Sequence, residues 1–225
     1  MSPQTYVPLY GVSLAFWGVA LKKVRRELAT RQVPYLAMAA AFSFLVQLFN
    51  IPAPGGTTGH AVGAAIIAIL LGPWTAVIAL SMVLIIQALV FGDGGITALG
   101  ANCFNMAVVA PFVSYAVFEV MARPGGSPRR SFCAAFLAGY VGLCTAAILT
   151  GVEFGLQPII AHGPNGTPLY APYPLKVAVP VMALEHMLIF GVLEGLITAL
   201  LLRYVSRYEP DLIYAFRRKR WVPGL

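Results

Sequence analysis

Charge is the scarcest resource in this sequence. Only 10% of its residues are charged while 59% are hydrophobic, too little polar material to solvate a soluble domain of this length. Its natural solvent is lipid. The three cysteines, Cys103, Cys133 and Cys144, lie in or near apolar segments, form no C-x-x-C pair and make an odd total, so they read as small buried apolar residues. There is no G-x-x-x-x-G-K-[ST] phosphate loop, so the chain is not expected to hydrolyse ATP. The H-E-x-x-H metalloprotease helix and the G-x-S-x-G nucleophile elbow are also missing, which leaves catalysis without a visible engine. The N-terminus has neither a basic n-region nor an A-x-A cleavage site, so the first helix is expected to stay. Without repeats, low-complexity linkers or a second composition regime, residues 1–225 read as a single polytopic membrane domain.

What is present is a series of long apolar stretches, and a membrane span needs ~20 such residues. Candidate spans run from about Tyr6 to Leu21, with Pro8 in the first turn, and from Pro34 to about Phe49. The run Ile51-Pro-Ala-Pro-Gly-Gly-Thr-Thr-Gly-His60 breaks the second. A third helix, Ala61 to Leu71, is followed by a Gly72-Pro73-Trp74 turn and a fourth ending near Phe91. Ile96 to Met121, Ser131 to Leu156 and Leu175 to Tyr204 complete the set. The expected fold class is an all-α integral membrane protein of about seven transmembrane helices. The third helix is too short to cross a ~30 Å core at ~1.5 Å per residue, so part of the preceding glycine-rich stretch is expected to enter the membrane.

The basic residues, which give a net charge of +7, serve topology rather than nucleic acid binding, because they sit between apolar segments and form no stripe interleaved with exposed aromatics. With seven spans, Lys22, Lys23, Arg25, Arg26, Arg31, Arg123, Arg129, Arg130, Arg203, Arg207, Arg217, Arg218, Lys219 and Arg220 all fall on one side, and only Lys176 on the other. The positive-inside rule then puts the N-terminus outside and the C-terminus in the cytoplasm, in the cell inner (plasma) membrane.

That topology gathers Gly55 to His60, Gly92 to Gly95 and the His162 loop on the outer side. Irregular backbone at membrane depth is tolerated only where it is buried in protein or lines a polar cavity, which suits a binding pocket. His60 opens the third helix, and imidazole ligates nickel, cobalt, copper or zinc; the plainer alternative is a helix-start histidine bonded to backbone. His162, among prolines and glycines, reads as an exposed loop histidine before it reads as a ligand. Glu185 and His186 form an intramembrane pair that is functional or fixes helix packing, and Glu119, Glu153 and Glu194 raise the same question. Asp93 either serves the pocket or satisfies its own turn. Gln87, Asn102 and Asn105 are polar within apolar helices and should face the bundle interior, as groups around a ligand or as interhelical ties. Ala37, Ala41, Ala64 and Ala68 would let helices approach closely.

Taken together, Gly55-Gly-Thr-Thr-Gly-His60, Gly72-Pro-Trp74 and the run Gln87-Ala-Leu-Val-Phe-Gly-Asp-Gly-Gly-Ile-Thr-Ala-Leu-Gly-Ala-Asn-Cys-Phe-Asn-Met106 resemble the CbiM/NikM family. This family provides the substrate-binding membrane component of energy-coupling-factor transporters for cobalt and nickel. Glu185-His-Met-Leu-Ile-Phe-Gly-Val-Leu-Glu-Gly-Leu-Ile-Thr198 and Glu209-Pro-Asp-Leu-Ile213 extend the resemblance over nearly the whole chain. It implies a seven-helix fold whose N-terminal helix threads the first residues into a central pocket. There the terminal amine, the second residue's amide and imidazole, and the loop histidine, here His60, hold Co(II) or Ni(II) as substrate. Such a nitrogen array suits Ni(II) and also accepts Co(II). Thr57, Thr58, Gln87, Asp93, Asn102 and Asn105 would order the pocket around that ligand, and His162 and His186 rank below them. No tightly bound cofactor is implied. The implied partners are a transmembrane coupling (T) component, ATP-binding-cassette ATPases and a small accessory membrane subunit, with the lipid bilayer around them and no nucleic acid. Corrin-ring synthesis genes nearby would argue cobalt and cobalamin biosynthesis; nickel-enzyme maturation genes would argue nickel.

The family's opening Met-His-Ile-x-Asp-Gly is replaced here by Met1-Ser-Pro-Gln-Thr. Ser2-Pro3 aligns just after that motif, and Met1 falls where a leucine usually stands. The expectation is a start codon upstream, with Met1 read from a leucine codon such as TTG or CTG; a chain that truly starts at Met1 is expected to bind metal weakly or not at all. Two other classes compete. A stand-alone secondary transporter or channel calls for midplane charges, broken helices and inverted repeats, of which the first two are faintly present. A membrane-embedded hydrolase using Glu185, His186 or Glu194 lacks a nucleophile or a complete metal site.

Overall fold

The computed structural model describes residues 1–27, 33–53, 57–123 and 126–216, with the side chains of 26, 27, 53 and 57 left aside. Arg31 and Arg217 to Arg220 from the topology argument, and Gly55 and Gly56 from the glycine-rich stretch, fall outside those residues. Helical segments occupy all the places read as spans. α1 is Pro3–Glu27, α2 Val33–Gln47, α3 Ala64–Leu71 and α4 Pro73–Ile86, which continues as a π-helical turn Gln87–Phe91. A 3₁₀ turn Ile96–Ala98 leads into α5 (Leu99–Asn102), a π-helical segment Cys103–Val109 and α6 (Ala110–Met121). α7 is Pro128–Ile160, and α8 (Leu175–Glu185) runs through a third π-helical segment, His186–Phe190, into α9 (Gly191–Tyr208). Pro73–Phe91, Ile96–Met121, Pro128–Ile160 and Leu175–Tyr208 are long and apolar enough to cross a membrane. The protein is an all-α integral membrane protein, with one short hairpin described below.

Local details differ from the sequence reading, among them the third helix, which starts at Ala64, so that His60 lies four residues ahead of it instead of opening it. α1 starts at Pro3, where proline suits the first helical position, and the Thr5 and Tyr6 N–H groups both donate to the Ser2 carbonyl at 3.0 Å. Pro8 therefore lies inside the helix and not in its first turn. The break after α2 is an antiparallel β-hairpin, β1 (Ile51–Ala53) against β2 (Thr57–Gly59), with Ile51 facing Gly59 and Ala53 facing Thr57.

α3 explains its own shortness. Ala64 through Ile69 are each at most 2% exposed, so this helix is covered on every side, as an all-round apolar helix must be. It is the central strut of the bundle. Gly72 turns the chain sharply at φ 90°, and Pro73 starts α4. Ala64 and Ala68 face neighbours as the spacing suggested, but Ala37 and Ala41 lie on the exposed side of α2.

α7 runs the length of the bundle between α6, α8 and α9. Close packing rests on glycine: a Cβ at Gly155 would stand 2.6 Å from the Leu175 Cα, and one at Gly195 would stand 2.7 Å from the Phe136 carbonyl oxygen. Small residues let helix backbones approach in lipid, where no hydrophobic force distinguishes side chain from solvent. Cys103 and Cys144 are buried as expected, whereas Cys133 is exposed at the start of α7. After α9 the chain returns to the bundle, with Ile213 and Ala215 buried and Tyr214 packed on the Gly72 turn.

Candidate functional site

One end of the bundle opens into a cavity of about 310 Å³, walled by α2, the hairpin loop, α4, α5, α7 and α8. His60 lines it together with Thr58, Gln87, Asp93, Asn102 and His186. The floor is apolar or thioether: Leu84, Leu143, Met106 and Met182.

The loop that carries His60 is held by a buried carboxyl group. Glu194, on α9 and 1% exposed, accepts from the Val62 N–H (2.8 Å) and the Gly63 N–H (2.9 Å) with Oε2, and from the Ala65 N–H (3.4 Å) with Oε1. These are N–H groups at the start of α3, where no intrahelical acceptor exists and a carboxylate is favoured by the helix dipole. Gly63, at φ 74°, provides the left-handed bend this arrangement needs. From the other side, the Ser43 hydroxyl donates to the Val62 carbonyl at 2.7 Å, and the Gln47 amide donates to Ser43 Oγ at 2.8 Å. Gly59 lies on the Phe190 ring so closely that no side chain would fit.

His60 itself is half-buried, with Nδ1 3.1 Å from the Ala61 carbonyl. A carbonyl only accepts, so that contact assigns the proton to Nδ1 and leaves Nε2 as the lone-pair nitrogen, with no hydrogen-bond partner among the described residues. Burial pushes the imidazole below its ordinary pKa, which favours this neutral form.

Three π-helical segments border the cavity, and each gives it a lining residue: Gln87, Met106 and His186. A π turn inserts one extra residue into a helix and re-aims the side chains around it, a feature found frequently at functional sites. His186 is buried, with Nδ1 2.9 Å from the Met182 carbonyl and 3.4 Å from Glu185 Oε1. The loop Gly92 to Gly95 arches beside it with Gly92, Gly94 and Gly95 all near φ +70°, and brings the exposed Asp93 to the rim.

The remaining predicted residues separate. Asn105 is buried behind the cavity wall, donating through Nδ2 to Thr150 Oγ1 and to both Glu153 carboxylate oxygens at 3.0 Å; of these Thr150 lines the cavity. Thr57 pairs with Ala53 through backbone register, and its side chain lies outside the described residues. His162 is exposed in the loop after α7, beside a bridge to Pro168, and does not line the cavity. Sequence reasoning passed over Gln47, Asn50 and Thr150. Polar side chains at or just after the end of the apolar α2 were the available signal for Gln47 and Asn50, whereas Thr150 lies inside α7. The α1 N-terminus is fastened to the same wall: the Ser2 N–H donates to Gln157 Oε1 at 2.8 Å, and Gln157 Nε2 donates to Thr5 Oγ1 at 2.9 Å. Among the described residues no three His, Cys, Asp or Glu side chains converge.

Fold and site together define an integral membrane protein built around a polar cavity at one end of its helices. The chain belongs to the CbiM family, described as the cobalt uptake substrate-specific transmembrane region, which matches residues 1–212. It is 51% identical over 215 residues to a fused nickel transport protein, NikMN, of Rhodobacter capsulatus, covering 95% of this chain and 62% of that one. A probable fused nickel transport protein, LarMN, of Lactiplantibacillus plantarum is 42% identical over 98% of this chain and 66% of its own length. The chain thus spans less than two thirds of these two relatives. The crystal structure of a transition metal transporter superposes with a TM-score of 0.88 at 43% identity, covering 97% of this chain and 96% of that one.

Proposed function

We propose that this chain is the substrate-capture membrane subunit of an ATP-driven uptake transporter for Ni(II) or Co(II), taking the ion from the outer side. The observation that carries the reading is His60: Nδ1–H is engaged by the Ala61 carbonyl, Nε2 has no hydrogen-bond partner among the described residues, and the loop is pinned by Glu194 at the mouth of a polar cavity. Fixing one imidazole nitrogen by a carbonyl is how metal-ligating histidines are oriented. Gln87, Asp93, Asn102, Thr58 and His186 surround that position, and Gln47 Oε1, buried at the cavity wall, has no hydrogen-bond partner among the described residues. The sequence supplies no phosphate loop, so ATP hydrolysis belongs to separate ATPases coupled through a second membrane component.

Metal titration of the purified protein tests this. The comparison is between the chain beginning at Met1, the same chain extended by its upstream in-frame codons, and His60→Ala in whichever form binds. Loss of at least tenfold in Ni(II) or Co(II) affinity on His60→Ala, with unchanged thermal stability, is expected. Undiminished binding by His60→Ala removes the reading.

A further inference from the structure

The far end of the bundle holds a second cavity, of about 400 Å³, that the metal site does not use. Thr150 of the first cavity and Ser131 of the second lie on α7 some 30 Å apart at the helical rise. Three arginines line it: Arg123, just after α6, and Arg203 and Arg207, four apart on one face of α9. Ser131 and Ser206 add hydroxyls, and Phe132, Leu202 and Phe216 give it an apolar side. Among the described residues no acidic side chain lines the cavity and no carboxylate lies within ion-pair distance of these guanidinium groups. Three like charges around one cavity repel one another unless an anion sits between them.

The location says which anion. The buried apolar residue Leu202 is followed directly by Arg203, so the cavity lies where hydrocarbon gives way to headgroups. Tyr204 and Tyr208, 63% and 59% exposed, flank the arginines on α9 as interfacial aromatics do. A lining that is cationic on one side and apolar on the other matches a phosphate with acyl chains attached better than a free phosphate. We infer that Arg123, Arg203 and Arg207 form a binding site for the phosphate headgroup of an anionic phospholipid. Guanidinium groups bind phosphate oxygens in bidentate fashion, and basic pockets between helices recognise such headgroups.

Native mass spectrometry of the detergent-solubilised full chain with phosphatidylglycerol, phosphatidylcholine and sn-glycerol 3-phosphate tests the site. Phosphatidylglycerol adducts are expected to outlast phosphatidylcholine adducts and to fall roughly tenfold or more in the triple variant Arg123→Gln/Arg203→Gln/Arg207→Gln. They should persist when Lys22, Lys23 and Arg25 are changed to Gln, a change of equal charge at the end of α1. The triple Arg→Lys variant, which keeps the charge, controls for folding and should retain part of the binding. Equal retention by the triple Gln variant overturns the proposal. Competition by sn-glycerol 3-phosphate at concentrations equal to the lipid overturns the lipid source and assigns the pocket to a soluble phosphate ester.

Discussion

Glu194 shows how much one side chain decides. Its two oxygens hold the N–H groups of Val62, Gly63 and Ala65, and with them the position of His60. Glu194→Ala leaves buried donors without partners and should lower stability by about 2–4 kcal/mol, while Glu194→Gln, with one acceptor oxygen, should fall between it and the parent. Both are expected to weaken metal binding although neither touches His60 chemically; thermal unfolding and metal titration on the same samples measure the two effects. The carboxylate was visible in the sequence as one of several intramembrane acids. Its partner was not, because 131 residues separate Glu194 from Gly63 and no local pattern joins them. His60 was legible by contrast, since an imidazole beside a glycine-rich break in an apolar sequence is unusual whatever surrounds it.

Among elements, hydropathy made the helices readable, because lipid enforces apolar stretches of a set length. It made nothing of the π-helical segments, where one extra residue leaves mean hydropathy unchanged. Nor did it find the β1–β2 hairpin, whose prolines and glycines read as loop. The π-helical segment His186–Phe190 is open to a direct test, because deleting Leu188, 72% exposed, returns the stretch to α-helical count. The flanking turns keep their relative orientation, because the wider π turn had absorbed the extra residue, and only the side chains within the segment are re-aimed. His186 should then point away from the cavity while Met182 and Glu194 keep their places. Metal affinity should drop at least tenfold, with the protein still expressed in membranes; unchanged affinity in a metal titration would show that this segment has no part in the site.

For the whole molecule, the opposite ends of α7 carry different chemistry: polar loops and a cavity at one, arginines at the other. In a Cys133→Ser background, Asn165→Cys should react with a membrane-impermeant maleimide on intact cells, and Glu209→Cys only after permeabilisation. The reverse pattern would invert the topology that the basic residues define. How the tail returns to the bundle at Gly72 lay beyond sequence reading, because tertiary packing of Ile213 and Tyr214 decides it.

α7 has 33 residues, about 50 Å of helix against a hydrocarbon slab of about 30 Å. On α7 the cavity lining reaches from Phe154 to Leu143, about 25 Å from the C-terminal end of the helix and so about half of its length. Leu84 and Leu143 close its floor, and beyond them the described residues offer the apolar α3 and only the buried hydroxyls of Ser114 and Thr198, a poor medium for a bare dication. The fold is therefore a cup and not a pipe. Under the proposed function, an ion bound there leaves by the far side only when the helices themselves shift.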